Sequence, residues 1–352
     1  MRVLLASILP VTDTKSWSGT CKSIYEQIAK NNHVDVCYSP SAHYLQKKLA
    51  AFSHYFYKLK GKRINVYFNK YVAYLYGLSF SRKLKRIDPE LIVCLGSGTE
   101  LLYVDSKVSS VLIADACFDL LHNSYEVYSN LIPNAIKQAY NIEKKSLSHF
   151  DKIIYTSTWA QDAAKSAYPD LKTYTINLGS NIGNYSSVIV NNKKINANLN
   201  LLTVGTDYKR KGIDKAEKLA KKLKCKLTII GIDLLLDKTK PDERQQLITK
   251  YKKADFFVLF PTADCTPIVI NEANSFGLPV ITFGVGGIPD MISAGKNGHI
   301  VENLNEAVDI ISSYRNNPAA YNALRMKTRT YYDKHLSWEV FREKFQKIIT
   351  TA

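Results

Sequence analysis

No run of about 18 apolar residues, the length a membrane-spanning helix needs, occurs in the 352-residue sequence. The stretch Met1–Val11 has one Arg ahead of an apolar run, but Pro10 interrupts it and no small-residue cleavage pattern follows. It is expected to be a buried first strand rather than a leader. Cysteines are few and scattered singly (Cys21, Cys37, Cys94, Cys117, Cys225 and Cys265), with no CxxC and no ligand spacing to a histidine. That excludes a disulfide framework and a sequence-encoded zinc site, and a reducing cytoplasm is the expected compartment. GxxxxGK[ST], GxSxG and HExxH are all missing, which argues against P-loop, α/β-hydrolase and zinc-protease chemistry. Only 16 Gly and 11 Pro accompany 46% hydrophobic and 22% charged residues, the profile of a folded chain rather than a disordered one. Acidic residues vanish between Asp35 and Asp88, where eleven Lys and Arg supply most of the formal charge of +17. Such a patch attracts anions: nucleic acid, lipid headgroups or phosphate-bearing substrates.

What is present is a βα rhythm. Short apolar runs separated by amphipathic segments predict strands over 2–9, 33–38, 91–95, 110–114, 152–156 and 173–177 in the first half. The second half repeats the pattern, with strands over 199–204, 226–230, 256–260, 279–283 and 298–301, and helices over 214–223, 242–251 and 267–276. A polar, Asn- and Ser-rich stretch between them reads as a linker. The expected organisation is a first Rossmann-like domain over 1–180, a linker over 181–198, a second over 199–330 and a helical tail over 331–352 that packs back on the first. Ligands in doubly wound sheets sit beyond the carboxyl ends of the strands, where helix N-termini and glycine turns present free N–H groups.

The most informative run is FPTADCTPIVINEANSFGLPVITFGVGGIPDMISAGKNGHIV, residues 260–301. Asp264 sits in a loop leaving a strand, and Glu272 one to two turns into the next helix, so both carboxylates can face one ligand. Between them, the helix start around Thr266, Pro267 and Ile268 offers backbone N–H groups to phosphates or sugar. The bland alternative is that Glu272 is merely a solvated helix residue. A second motif, VGTDYKRKG over 204–212, places Lys209, Arg210 and Lys211 directly after the first strand of the second domain. Trp17-Ser18-Gly19-Thr20 follows the first strand of the chain, where a glycine allows backbone to approach a ligand. Asp115 ends another strand; it could bond a sugar hydroxyl or equally cap the following helix.

Residues 260–301 resemble the donor-site segment of the family 4 retaining glycosyltransferases, which carry two acidic residues separated by seven, then Gly-x-Pro-Val and a Gly-Gly-x-Pro turn. The chain departs from the usual pattern in having Asp264 for the first Glu and Cys265-Thr266-Pro267 for Gly-Phe-Gly. Thr206 also stands where many relatives have Arg, so Arg210 or Lys209 is expected to take that role. The resemblance implies an α/β fold of the GT-B class, two doubly wound Rossmann-like domains facing a central cleft, with a C-terminal helix crossing back.

It further implies a metal-independent hexosyltransferase that needs no cofactor and retains anomeric configuration without a protein nucleophile. Lys211, Asp264 and Asp115 would be catalytic. Gly19, Arg210, Lys211, Asp264, Thr266, Pro267, Ile268 and Glu272 would bind the nucleotide-sugar donor, UDP- or GDP-linked, with Glu272 on the ribose. No Asp-x-Asp occurs, so the metal-gripping pair of the other main glycosyltransferase architecture is missing. The segment 45–86 interleaves basic residues with tyrosines and is expected to meet an anionic membrane surface through Lys58, Lys60, Lys62 and Arg63. That would make the protein peripheral and its acceptor a glycan or lipid-linked molecule. Rival readings are an epimerase or phosphorylase on the same fold and a basic nucleic-acid-binding protein, but no standard nucleic-acid module is legible and none is expected as partner.

Overall fold

The computed structural model describes residues 1–13, 16–182, 193, 195, 199–232, 236 and 240–351. The chain packs as two compact units, Met1–Ile176 with Lys347–Ala352, and Asn177–Gln346. Most of the stretch expected to be a linker, 183–192, 194 and 196–198, lies outside the described residues.

The first unit runs β1 (Arg2–Ser7), α1 (Thr20–Ala29), β2 (His33–Cys37), α2 (Pro40–Lys60), α3 (Lys70–Ile87), β3 (Leu91–Leu95), β4 (Ser109–Ala114), α4 (Phe118–Ser124), α5 (Pro133–Leu147), β5 (Lys152–Tyr155), α6 (Thr158–Ala167) and β6 (Thr173–Thr175). Its sheet is parallel in the order β2-β1-β3-β4-β5-β6. All five residues of β3 are buried, as expected where helices cover both faces of a parallel sheet. The order reverses direction between β1 and β3, the topological switch point at which such sheets bind ligands.

Local chemistry sets the helix limits. Ser39 caps α2 by accepting from the Ala42 N–H, Pro40 takes the first turn, and Gly61 closes the helix at φ +64°. Asn69 caps α3 by accepting from Tyr71 and Val72 N–H. Tyr76, fully buried on α3, lies 2.7 Å from the Ser7 carbonyl and 2.9 Å from that of Cys37, tying α3 to the ends of β1 and β2.

Glu100, in the 3-10 turn after β3, is fully buried, and burial pushes its carboxyl up to about 8 against the pull of the Glu100 and Ile8 backbone amides. Between the ordinary value of 4.5 and about 8, the folded protein holds a proton that the unfolded chain has released. Stability therefore falls as pH rises through that window. Thermal unfolding across pH 5 to 9 should show this decline, to which Glu143, pushed up to about 7 by burial, adds below pH 7. Glu100→Gln should make it shallower, most clearly between pH 7 and 8; an equally steep decline in the variant rules out Glu100 as a source.

The second unit runs β7 (Asn200–Val204), α7 (Ile213–Leu223), β8 (Lys226–Ile230), α8 (Pro241–Lys253), β9 (Phe256–Leu259), α9 (Ile268–Ser275), β10 (Val280–Thr282), β11 (Gly298–Ile300), α10 (Leu304–Asn316), α11 (Pro318–Tyr331) and α12 (Trp338–Thr350). The parallel order β11-β10-β9-β7-β8 again reverses, here between β7 and β9. Its core sets Leu201, Phe256, Val258 and Phe260 against Leu219 and Tyr321. The end of α12 packs with the first unit, where Lys152 Nζ donates to the Ile348 carbonyl at 2.8 Å. All eleven expected strands form, each within two residues of its predicted limits.

Candidate functional site

Two turns meet at the switch point of the second unit. The turn after β7 carries Arg210, Lys211 and Gly212, and the loop after β9 carries Asp264. They are joined by the Thr262 N–H, which donates to the Arg210 carbonyl at 2.8 Å. Gly212 caps α7 at φ +68°, and a Cβ there would come within 1.8 Å of the Phe260 carbonyl oxygen, so only glycine permits this approach. On the other side Gly286, at φ +60°, abuts the Asp264 carbonyl in the same way, and Gly287 N–H donates to Cys265 O at 2.9 Å. The Gly-Gly-x-Pro turn thus clamps the Asp264 loop from behind.

Within this frame Lys211 Nζ donates to Asp264 Oδ2 at 2.5 Å, and Arg210 Nη1 lies 3.6 Å from the same oxygen. Arg210 is itself fixed, with Nη1 donating to Ala263 O at 3.1 Å and Nε to Asp207 Oδ2 at 3.1 Å. Asp264 is 8% exposed, so the two cations and the carboxylate form a partly desolvated cluster in which each interaction is stronger than at an open surface. Lys209, by contrast, is well exposed and lies 3.6 Å from Asp214 on α7; Arg210 is the residue brought to Asp264.

α9 is buried along its whole length, including Glu272. The solvated-residue reading of Glu272 is therefore wrong: the side chain is 0% exposed, and its Oε2 accepts from Tyr251 Oη of α8 at 2.8 Å. Burial and then the Glu272 charge push the Tyr251 hydroxyl well above its ordinary value, so it stays a donor. Four of the eight residues of α9, Asn271, Glu272, Asn274 and Ser275, are polar yet buried, so composition gives no signal of this burial, and the Tyr251 partner, one helix earlier, leaves no mark in the motif. At the start of α9, Pro267 occupies the cap position and has no N–H. The Ile270 N–H is spent on Pro267 O at 3.0 Å, which leaves Ile268 and Val269 as the helix N–H groups available to a ligand, beside half-buried Thr266.

In the first unit, Trp17 (φ +47°), Ser18 (φ +56°) and Gly19 (φ +88°) form a left-handed run after β1. Non-glycine residues rarely hold this conformation, and each costs of order 1–3 kcal/mol, which marks the turn as over-determined by its surroundings. One such restraint is the indole: Trp17 Nε1 donates to Asp115 Oδ2 at 3.2 Å, joining the β1 turn to the end of β4. Cys117, not Asp115, holds the cap position of α4, so the capping reading of Asp115 falls away.

Arg63 corrects an expectation. It is 8% exposed, bonded through Nη2 to Glu126 Oε1 at 2.8 Å and stacked over the Tyr57 ring at 4.0 Å, so it braces the first unit and offers no surface charge. Lys58, Lys60 and Lys62 are exposed. Tyr76 and Phe68, in the same aromatic-rich segment, are core residues.

Residues 187–331 match the sequence model of a family described as "Glycosyl transferases group 1", a stretch that contains Arg210, Lys211, Asp264 and Glu272 but none of the first-unit residues. A curated relative, D-inositol 3-phosphate glycosyltransferase of Mycolicibacterium smegmatis, is 31% identical over 74 residues, 20% of this chain, and the matched stretch spans only 17% of that relative. Among solved structures, sucrose-phosphate synthase from Thermosynechococcus elongatus superposes with a TM-score of 0.71 at 16% identity, over 99% of this chain and 98% of that one. WaaG, a glycosyltransferase involved in lipopolysaccharide biosynthesis, gives a TM-score of 0.65 at 16% identity, over 99% and 100%. The fold of the chain is thus α/β of the GT-B class, built from two Rossmann-like units, and its second unit carries a region similar to the group 1 glycosyl transferases.

Proposed function

We propose that the protein is a retaining glycosyltransferase that takes a sugar from a nucleotide-sugar donor and acts without a metal ion. The observation that carries this reading is the Lys211–Asp264–Arg210 cluster at the β7/β9 switch point, inside the region similar to group 1 glycosyl transferases. Two fixed cations there suit a diphosphate leaving group. Charge that grows on the departing nucleotide is stabilised more than the ground state, and Lys211 and Arg210 are already held in place by the loop clamp. A bound donor would compete with Asp264 for Lys211, freeing the carboxylate to accept from hydroxyls of the transferred sugar. Glu272, buried and negative on α9, would accept from the ribose while Tyr251 holds its other side. On the first unit, Asp115 and the left-handed turn ending at Gly19 are the proposed contacts for the sugar and diphosphate.

The proposed acceptor is a glycan or lipid-linked molecule reached from an anionic membrane surface. Tyr44, Phe52, Tyr55 and Leu59 repeat on α2 at spacings of eight, three and four, all exposed, among exposed Lys47, Lys48, Lys58 and Lys60. An aromatic stripe within a basic helix suits the headgroup level of a bilayer, each nearby Lys adding about 1 kcal/mol. No helix among the described residues is long and apolar enough to cross a membrane.

The reading is tested by calorimetric titration with UDP-, GDP- and ADP-sugars, followed by transfer assays in EDTA with the donor that binds. Binding of one nucleotide class and full transfer in EDTA are expected. Activity that disappears with EDTA and returns with Mn²⁺ would remove the metal-free mechanism, and the absence of binding to any nucleotide sugar would remove the reading altogether.

A further inference from the structure

The first unit holds a groove of about 570 Å³ that contains none of the candidate donor-site residues. One wall is α5, where Gln138, Asn141 and Lys145 recur at spacings of three and four on one helix face, with Lys137 beside them and His149 two residues past the helix end. The opposite wall is Leu102 and Tyr103, which follow the 3-10 turn after β3, together with Lys70 at the first position of α3. The volume is in the range of small-ligand sites.

No carboxylate lines this groove. Among the described residues, none of Lys70, Lys137 and Lys145 forms an ion pair with an acidic side chain. Lys70 instead sits over the Tyr71 ring at 5.0 Å. His149 Nδ1 lies 2.7 Å from the Lys145 carbonyl, which fixes Nδ1 as the donor and turns Nε2 to other partners. A solvated helix face would normally alternate charge signs or carry counter-ions. Here three ammonium groups, three amides (Asn134, Gln138 and Asn141) and an imidazole line one concavity with no carboxylate among them, an arrangement whose self-repulsion is relieved by a bound anion.

We infer that the α5 groove is a binding site for a phosphate ester, held by Lys70, Lys137 and Lys145 with the Gln138 and Asn141 amides donating to the remaining oxygens. The phosphate can belong to a free phosphorylated compound or to a phospholipid headgroup, since the exposed aromatics Tyr71 and Tyr74 lie on α3 next to the groove's Lys70 and Tyr74 packs against Tyr103 at 5.9 Å. The site does not depend on the transferase reading, because it uses no residue of the Lys211–Asp264 cluster.

The test compares wild-type protein, Lys137→Gln/Lys145→Gln, and a charge-matched control, Lys144→Gln/Lys165→Gln, whose exposed lysines lie on α5 and α6 outside the groove. One arm titrates glycerol 3-phosphate by calorimetry. The other measures sedimentation with phosphatidylcholine vesicles containing phosphatidylglycerol. The groove variant should keep the wild-type melting temperature and lose about tenfold in affinity relative to the control. Loss in the soluble arm assigns a free phosphate ester; loss confined to the vesicle arm assigns a lipid headgroup. If the wild type binds neither probe, or the groove variant weakens neither arm more than the control does, the inference is overturned. UDP or GDP titration of the same variant separates the two proposals: unchanged nucleotide binding with lost phosphate binding upholds the groove by itself, and a protein that binds glycerol 3-phosphate but no nucleotide upholds the groove while removing the transferase reading.

Discussion

Lys211→Ala is expected to lower kcat by about 10²–10³ while changing donor affinity much less, the cost typical of removing one fixed donor aimed at developing charge. The reason lies in the geometry. Lys211 is positioned by its 2.5 Å contact with Asp264 and by Gly205, where a Cβ would come within 2.9 Å of Lys211 Cγ. The cation is therefore in place before the diphosphate departs, and its benefit grows with the negative charge on the leaving group. Arg210, 3.6 Å from Asp264 and held by Ala263 O and Asp207, does not depend on Lys211 for its place, so ground-state binding of the diphosphate is expected to be largely kept. Steady-state kinetics with the donor found by titration decide the point. A fall in donor affinity equal to the fall in kcat/KM would place Lys211 in uniform binding, and unchanged kcat would remove it from the reaction.

Glu272 carries the second large effect, and two substitutions divide it. Glu272→Ala leaves the buried Tyr251 Oη without its acceptor on Glu272, and should destabilise the protein by about 2–4 kcal/mol. Glu272→Gln keeps the shape and an acceptor for Tyr251 but loses the charge. It should melt within a few degrees of the wild type and bind the nucleotide more weakly by about 1.5–3 kcal/mol, as for hydrogen bonds to a charged group. Urea unfolding and calorimetry read the two quantities separately. Normal donor affinity in a folded Gln variant would leave Glu272 with a purely structural role.

The strands and the turns that carry these residues differ in how plainly the sequence marks them. Strands such as β3 and β9 were legible because burial on both faces of a parallel sheet writes continuous apolar runs, LIVCL and FFVL. Asp264, Lys211 and Gly212 were legible because a carboxylate loop and a glycine-ended basic turn follow strands at fixed spacing. Choosing Arg210 over Lys209 was not possible from sequence, since adjacent residues on a turn differ only in direction, and the turn's direction is set by the Thr262–Arg210 and Gly212–Phe260 contacts across the sheet. The same holds for Arg63. Counted as one of eleven positive charges, it appeared to belong to a surface patch, yet Glu126, far along the chain, and the Tyr57 ring draw it inward. The Trp17–Asp115 and Tyr251–Glu272 pairs likewise join separate elements: Tyr251 lies outside any motif, and nothing in the sequence pairs Trp17 with Asp115.

The central claim is retaining transfer from a nucleotide sugar by this fold. Proton NMR of the reaction, with the donor that binds and a simple acceptor or water, reports the anomeric configuration of the first product formed. The product is predicted to have the same configuration as the sugar in the donor, formed at an undiminished rate in EDTA; a product of opposite configuration would contradict the account.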